Sequence, residues 1–70
     1  MIQIKQFLLN GEKYYIKHNV NLFDLLTYFN YNDKLLVIEY NQMIWNKINW
    51  KTTFIKTNDR IEIVTIVGGG

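Results

Sequence analysis

The residues with the clearest chemical potential are the three glycines at positions 68 to 70, which directly follow a segment rich in β-branched residues, 61 to 67. Glycine lacks a Cβ atom, so a glycine tail can enter a slot too narrow for any side chain and leave a terminal carboxylate sterically open. We therefore expect the carboxylate of Gly70 to be the reacting group, with Gly68 and Gly69 as its tail. The alternative is a frayed end or a cloning remnant without function.

The remaining side chains give little support to independent catalysis. The chain has no serine or cysteine, and His18 is its only histidine. Neither a nucleophilic triad nor a histidine-containing metal cluster can be assembled from such a set. The six acidic residues are dispersed, and we expect them to be solvated or to cap turns. No lysine or helix follows the glycines, so they do not resemble a phosphate-binding loop. The sequence predicts a substrate of other enzymes, without catalytic residues or a bound metal of its own.

The amino-acid composition limits which classes of protein and which partners are compatible with the chain. Seventy residues form one small domain, and a chain that is 49% apolar should fold. No apolar run approaches the length of about 18 to 20 residues that a membrane span needs. The basic residues are interleaved with acids, so we expect no nucleic-acid partner. The chain is rich in the amino acids expected of AT-rich coding DNA, and its first segment is unlike a signal peptide. Together these features predict the cytoplasm or the stroma of a plastid.

The first element predicted is a β-hairpin. Asn10-Gly11 separates two β-rich runs, residues 2–9 and 12–18, and this dipeptide is typical of a two-residue type I′ turn. In this register Ile2 and Ile4 fall on the outer side of the hairpin. Either a β-bulge turns them back toward the core, or they form part of an exposed apolar patch. Strand alternation predicts an inner face formed by Phe7, Leu9, Tyr14 and Ile16.

A single short helix should follow the hairpin. Asn21 is placed to act as its N-cap, with Asp24 in the first turn near the positive end of the helix dipole. The helix is expected to end between residues 30 and 32. Its apolar positions follow the spacing of one buried stripe, formed by Leu22, Leu25, Leu26 and Phe29.

Three further strands complete the predicted order, at residues 35–40, 43–45 and 60–67. A single helix between hairpin-like units, on a sheet that includes the terminal strand, indicates an α+β fold of the ubiquitin-like β-grasp type. The sheet should be mixed and five-stranded, in the order ββαβββ. We expect residues 1–67 to form the domain and residues 68–70 to form a flexible tail.

Motifs along the second half of the chain resemble those of the ThiS family, the β-grasp sulfur carriers of thiamine thiazole biosynthesis. The resemblance extends over nearly the whole chain, including the Asn10-Gly11 turn. The segments that carry it are residues 37–44, Lys47, Trp50, residues 58–64 and residues 67–70.

The resemblance implies a route for the sulfur. A ThiF-like adenylating enzyme, using ATP and Mg²⁺, would activate the carboxylate of Gly70. A sulfur donor such as a cysteine desulfurase would then supply the sulfur of a C-terminal thiocarboxylate, which thiazole synthase, a ThiG-like enzyme, consumes. The carrier itself would bind no cofactor. A carrier for molybdopterin synthesis or tRNA thiolation, and a non-covalent β-grasp adaptor, are the alternatives.

The short tail implies a docking surface on the folded domain. Three extended residues reach at most about 10 to 11 Å, so the domain must press against the enzyme for Gly70 to reach ATP. If Ile61 and Ile63 point into the core, their neighbours on the last strand point outward. The candidate docking residues, which alternatively pack in the core, are Val64, Ile66, Ile44 and Trp45.

Overall fold

The computed structural model describes residues 3 to 65, which form one sheet, one α-helix and two short 3₁₀ helices. The strands occur in the order β2-β1-β5-β3-β4, and β5 lies at the centre, parallel to β1 and antiparallel to β3. This confirms the predicted mixed five-stranded sheet with one helix. The predicted boundary after residue 67 lies outside the described residues. The elements are β1 (Lys5–Leu9), β2 (Glu12–Ile16), α1 (Leu22–Tyr28), β3 (Leu36–Tyr40), β4 (Met43–Trp45) and β5 (Arg60–Thr65).

The hairpin of β1 and β2 forms as its turn residues dictate. Asn10 and Gly11 have φ angles of 51° and 83°, the left-handed conformation that both central residues of a type I′ turn require. Phe7 lies opposite Tyr14 in the predicted register. The four predicted inner residues are buried or half-buried. Ile4 is 60% exposed, which settles its place on the surface, whereas Ile2 lies outside the described residues.

The helix α1 covers the inner face of the sheet. The side chain of Asn21 accepts a hydrogen bond from the backbone N–H of Asp24 at 2.7 Å, as predicted for an N-cap. The helix ends at Tyr28, two residues before the predicted range, because Asn30 takes a φ of 59° and stops the helical path. The buried helical residues are Leu22, Leu25 and Leu26, and Phe29 is half-buried beside them.

The segment between β4 and β5 adds core residues to a stretch that the sequence predicted as irregular. Trp50 is 2% exposed and Ile55 is fully buried. The backbone N–H of Ile55 donates to the carbonyl of Val20 at 2.8 Å, and the N–H of Leu22 donates to the carbonyl of Thr53 at 3.0 Å. These bonds fasten the segment to the start of the helix.

The start of β5 is held by a buried carboxylate. Asp59 is 6% exposed, so of the two roles expected for the acids it is not solvated but caps a turn. Its two oxygens accept hydrogen bonds from the Tyr40 hydroxyl at 2.5 Å, from Nδ2 of Asn41 at 3.1 Å and from the backbone N–H of Lys56 at 2.7 Å. A buried charge is tolerated when its acceptor sites are satisfied in this way. Asp59 therefore joins β3, the β3–β4 turn and the approach to β5.

Two turn asparagines fix the position of β5 along its neighbours. Oδ1 of Asn41 accepts from the backbone N–H of Arg60 at 2.8 Å, and Oδ1 of Asn10 accepts from that of Ile63 at 2.8 Å. The backbone N–H of Asn10 also donates to the carbonyl of Ile61 at 2.9 Å. The register of the terminal strand is thus set from both sides of the sheet.

Replacing Asp59 by alanine tests this anchoring. Asp59→Ala leaves the Tyr40 hydroxyl and a backbone N–H without their acceptor, so we expect the free energy of unfolding to fall by about 1 to 3 kcal/mol in urea denaturation. Lys56→Ala is the control, because it removes an exposed side chain but keeps the N–H that Asp59 accepts. Equal losses in the two variants would contradict the anchoring role.

The hydrogen bond between Tyr40 and Asp59 should make the free energy of unfolding decrease at alkaline pH. Burial, and then the hydrogen bond to Asp59, raise the pKa of Tyr40 above its usual value of about 10. Above that pH the unfolded chain loses a proton that the folded chain keeps, so the free energy of unfolding should fall as pH rises, whereas below it the contribution is complete. Tyr40→Phe should be less stable at neutral pH and show a smaller alkaline decline. Parallel pH profiles for the two proteins, measured by urea denaturation, would refute this.

Candidate functional site

The described part of the candidate site is the end of β5, from which the chain leads toward its glycines. Gly68, Gly69, Gly70 and Ile66 lie outside the described residues, and Thr65 is the last one inside. The structure therefore describes the surface of the folded domain next to the tail, and not the tail itself.

Alternation along β5 follows the prediction. Ile61 and Ile63 are 1% and 9% exposed and belong to the core, whereas Val64 is 51% exposed and Glu62 is also exposed. Since successive side chains of a strand point to opposite faces, Glu62 and Val64 lie on the face of the sheet away from the helix.

The register of β3, β4 and β5 brings further side chains onto this face. Val37 lies opposite Val64, Glu39 lies opposite Glu62, and Ile44 lies opposite Glu39. We name these five residues the outer patch. Val37 and Glu39 were not predicted as site residues. Their alternation with the buried Leu36, Ile38 and Tyr40 is the signal that could have found them.

The outer patch is apolar at its ends and acidic between them. Ile44 is 76% exposed. It is separated from the row of Val64 by β3, a distance of about 10 Å across the sheet at the usual strand spacing. Glu39 and Glu62 face each other directly, and like charges in opposite positions destabilise a strand pair. No ion pair to either carboxylate occurs within residues 3 to 65, although the exposed Arg60 lies on the same face of β5, two residues before Glu62.

Trp45 does not belong to this patch and packs partly against the core, which is the alternative that the sequence left open for the docking residues. It lies opposite the buried Ile38, and its ring packs 5.2 Å from that of Tyr40. Its Nε1 donates to Oγ1 of Thr53 at 2.8 Å, and its carbonyl accepts from Nε1 of Trp50 at 3.0 Å. Because Ile44 and Trp45 are adjacent on one strand, only one of them can face outward. Trp45 instead holds the β4–β5 segment against the core.

The described part of the chain contains neither a metal site nor a membrane-spanning helix. No group of three or more histidine or acidic side chains there is arranged to hold a metal ion. His18 is exposed. Among residues 3 to 65 no helix has the length and apolar character needed to cross a bilayer.

Comparison with known proteins finds a matching family and several similar proteins. The model of the ThiS family matches residues 7–70. An uncharacterised protein named ycf40 from Trieres chinensis is 58% identical over 66 residues, which cover 94% of this chain and 90% of the relative. Proteins of the same name from Porphyra purpurea and Pyropia yezoensis are 36% and 31% identical, and each match covers 89% of this chain and 87% of the relative.

A solved structure shares the fold. The crystal structure of the thiamine biosynthesis protein ThiS from Geobacter metallireducens aligns with a TM-score of 0.79 at 20% identity, covering 93% of this chain and 99% of that one. This match identifies the ββαβββ arrangement as the ubiquitin-like β-grasp fold. Since the family match covers almost the entire chain and reaches Gly70, the chain belongs to the ThiS family.

Proposed function

We propose that the chain is a sulfur carrier for thiamine thiazole biosynthesis, with the carboxylate of Gly70 as the carrying group. One observation supports this most strongly. The firmly held central strand β5 bears part of an exposed patch and leads directly toward the glycines to which the family match extends. The family match and the shared fold support the carrier role, and the thiazole pathway is the finer proposal.

The chemistry requires activation, because a carboxylate is a poor electrophile. In a ThiF-like partner, a carboxylate oxygen of Gly70 attacks the α-phosphorus of ATP held with Mg²⁺, and pyrophosphate leaves. A persulfide on the partner side, charged by a donor such as a cysteine desulfurase, attacks the acyl carbon, and AMP departs with the oxygen. A second thiol then attacks the inner sulfur of the resulting acyl disulfide, so that a disulfide forms between the two thiols and the thiocarboxylate is released. The resulting thiocarboxylate supplies sulfur to a ThiG-like thiazole synthase.

This route assigns all catalytic groups to the partners. The chain contributes an acyl group and a folded body, and it has no serine or cysteine that could attack the activated carbonyl. ATP and Mg²⁺ belong to the adenylating enzyme, and the carrier holds neither. We propose the cytoplasm or the plastid stroma as the compartment, with no nucleic-acid or membrane partner.

The short distance from the folded body to the reacting atom supports the outer patch as the docking surface. The five residues after Thr65 can span at most about 17 to 18 Å, even when fully extended. The end of β5 must therefore lie close to the adenylation site. Val64 and Ile44 would meet apolar groups there, and a cation on the partner would offset the repulsion between Glu39 and Glu62.

Intact-mass measurement tests the proposed chemistry. Incubation with the adenylating enzyme, ATP, Mg²⁺ and a sulfur donor should add about 16 Da, as one oxygen is replaced by sulfur. A variant extended by one alanine after Gly70 should gain no mass, because its carboxylate is displaced from the reaction centre. Sulfur incorporation into the extended variant would refute the role of Gly70. Reconstituted thiazole formation then separates this pathway from molybdopterin synthesis and tRNA thiolation.

A charge placed in the outer patch tests docking. Val64→Asp puts a third acid beside Glu39 and Glu62 without altering the core, so half-saturation of ATP–pyrophosphate exchange should require about tenfold more carrier. Ile48→Asp is the matched control, because Ile48 is 80% exposed and lies outside the sheet. Equal exchange kinetics for the two variants would remove the outer patch from the proposed interface.

A further inference from the structure

We propose that the groove between β2 and α1 binds an extended segment of a partner protein whose side chains alternate between apolar and acidic. The segment would add to the sheet as a further strand beside β2. This interaction is separate from the sulfur chemistry and uses the opposite edge of the molecule.

The free edge of β2 supplies the backbone groups. β2 is the first strand in the sheet order, so within residues 3 to 65 no strand pairs with one of its sides. Leu9 and Glu12 close the two-residue turn as a hydrogen-bonded pair, and the pairs of an antiparallel ladder alternate. Lys13 and Tyr15 therefore direct their backbone N–H and C=O groups away from β1. The other edge strand, β4, has only three residues and offers a much shorter template.

An apolar groove runs along this edge. It has a volume of about 610 Å³ and opens to solvent between the hairpin and the helix. Its aromatic rings form a connected series, with centroids 5.9 Å apart for Phe7 and Tyr14, 5.5 Å for Tyr14 and Phe29, and 5.0 Å for Phe29 and Tyr28. Tyr28 is 79% exposed, so part of this apolar surface meets water. Ile16, Val20 and Leu25 add aliphatic groups to the lining, which also includes Tyr15, Lys17, His18 and Asp24.

The geometry of strand addition determines the side-chain pattern of the segment. An added strand places alternate side chains on the two faces of the sheet. Those on the inner side of the sheet would lie over the groove beside Tyr14 and Ile16, and should be apolar. Those on the outer side would lie beside Lys13 and the exposed side chain of Tyr15.

Charge favours acidic residues at these outer positions. Lys13 and Lys17 are exposed, and within residues 3 to 65 neither is paired with a carboxylate. The carboxylate of Glu12 accepts a hydrogen bond from the Tyr14 hydroxyl at 3.2 Å, and Asp24 is the acid that lines the groove. A second copy of the chain would bring its own lysines to this edge, which works against pairing of two copies.

Peptide titration into the full-length, isotope-labelled protein tests the proposal by NMR. The probe is a blocked synthetic peptide of about nine residues that alternates valine and glutamate, used up to about 1 mM. We expect shifts in the amides of Lys13 and Tyr15 and of the groove residues. The same peptide with lysine in place of glutamate should bind about three- to tenfold more weakly.

Two variants localise the interaction. Tyr15→Pro removes an N–H that points to the free edge, and edge strands accept proline at such positions. It should bind the acidic peptide about tenfold more weakly than Tyr15→Ala, the loss expected for one hydrogen bond. Lys17→Glu, compared with Lys34→Glu on another surface, tests the charge without altering the backbone.

Several outcomes would overturn the proposal. These are an absence of shifts at the highest peptide concentration, shifts confined to the outer patch, and equal affinity of Lys17→Glu and Lys34→Glu. Concentration-dependent shifts of Lys13 and Tyr15 without peptide would assign the edge to a second copy of the chain. Because the readout is binding to the edge of β2, failure here leaves the test of Gly70 chemistry unaffected.

Discussion

The position of β5 depends on the buried carboxylate of Asp59. This group links three parts of the chain that are distant in sequence, because it accepts from the Tyr40 hydroxyl, from the side chain of Asn41 and from the backbone before β5. Leaving the buried Tyr40 hydroxyl without an acceptor costs free energy, so the polar contacts favour one register over its neighbours. A slip of one residue would turn Ile61 and Ile63 outward and bury Glu62. The buried contacts of Asp59 therefore determine which residues of β5 lie on the outer face of the sheet.

Local signals predicted the elements well. The Asn10-Gly11 turn determines its own backbone conformation, and it thereby set the register of the hairpin correctly. The N-cap at Asn21 is likewise a contact between residues three apart. In β5, the alternation of Ile61 and Ile63 with Glu62 and Val64 gave the correct inward and outward faces. These features need only short stretches of sequence, because the interactions that produce them are themselves short-range.

Long-range contacts account for what the sequence did not predict. Nothing near Asp59 in the chain indicates that Tyr40 will lie against it, since the two are nineteen residues apart. Trp45 was selected together with Ile44 because a three-residue strand does not reveal which of its faces is buried. The ring of Tyr40 and the hydroxyl of Thr53 decide that question. Val37 and Glu39 became part of the outer patch only once the pairing of β3 with β5 was known.

The central position of β5 in the sheet also keeps the outer patch apart from the groove beside β2. The outer patch is formed by β3, β4 and β5 on the face away from the helix, whereas the groove lies between β2 and the helix at the far edge. β1 stands between β2 and β5, and neither surface shares a residue with the other. A partner on the edge of β2 would thus leave the approach to the tail open. If both proposals hold, the domain would remain attached to one protein while another acts on its terminus.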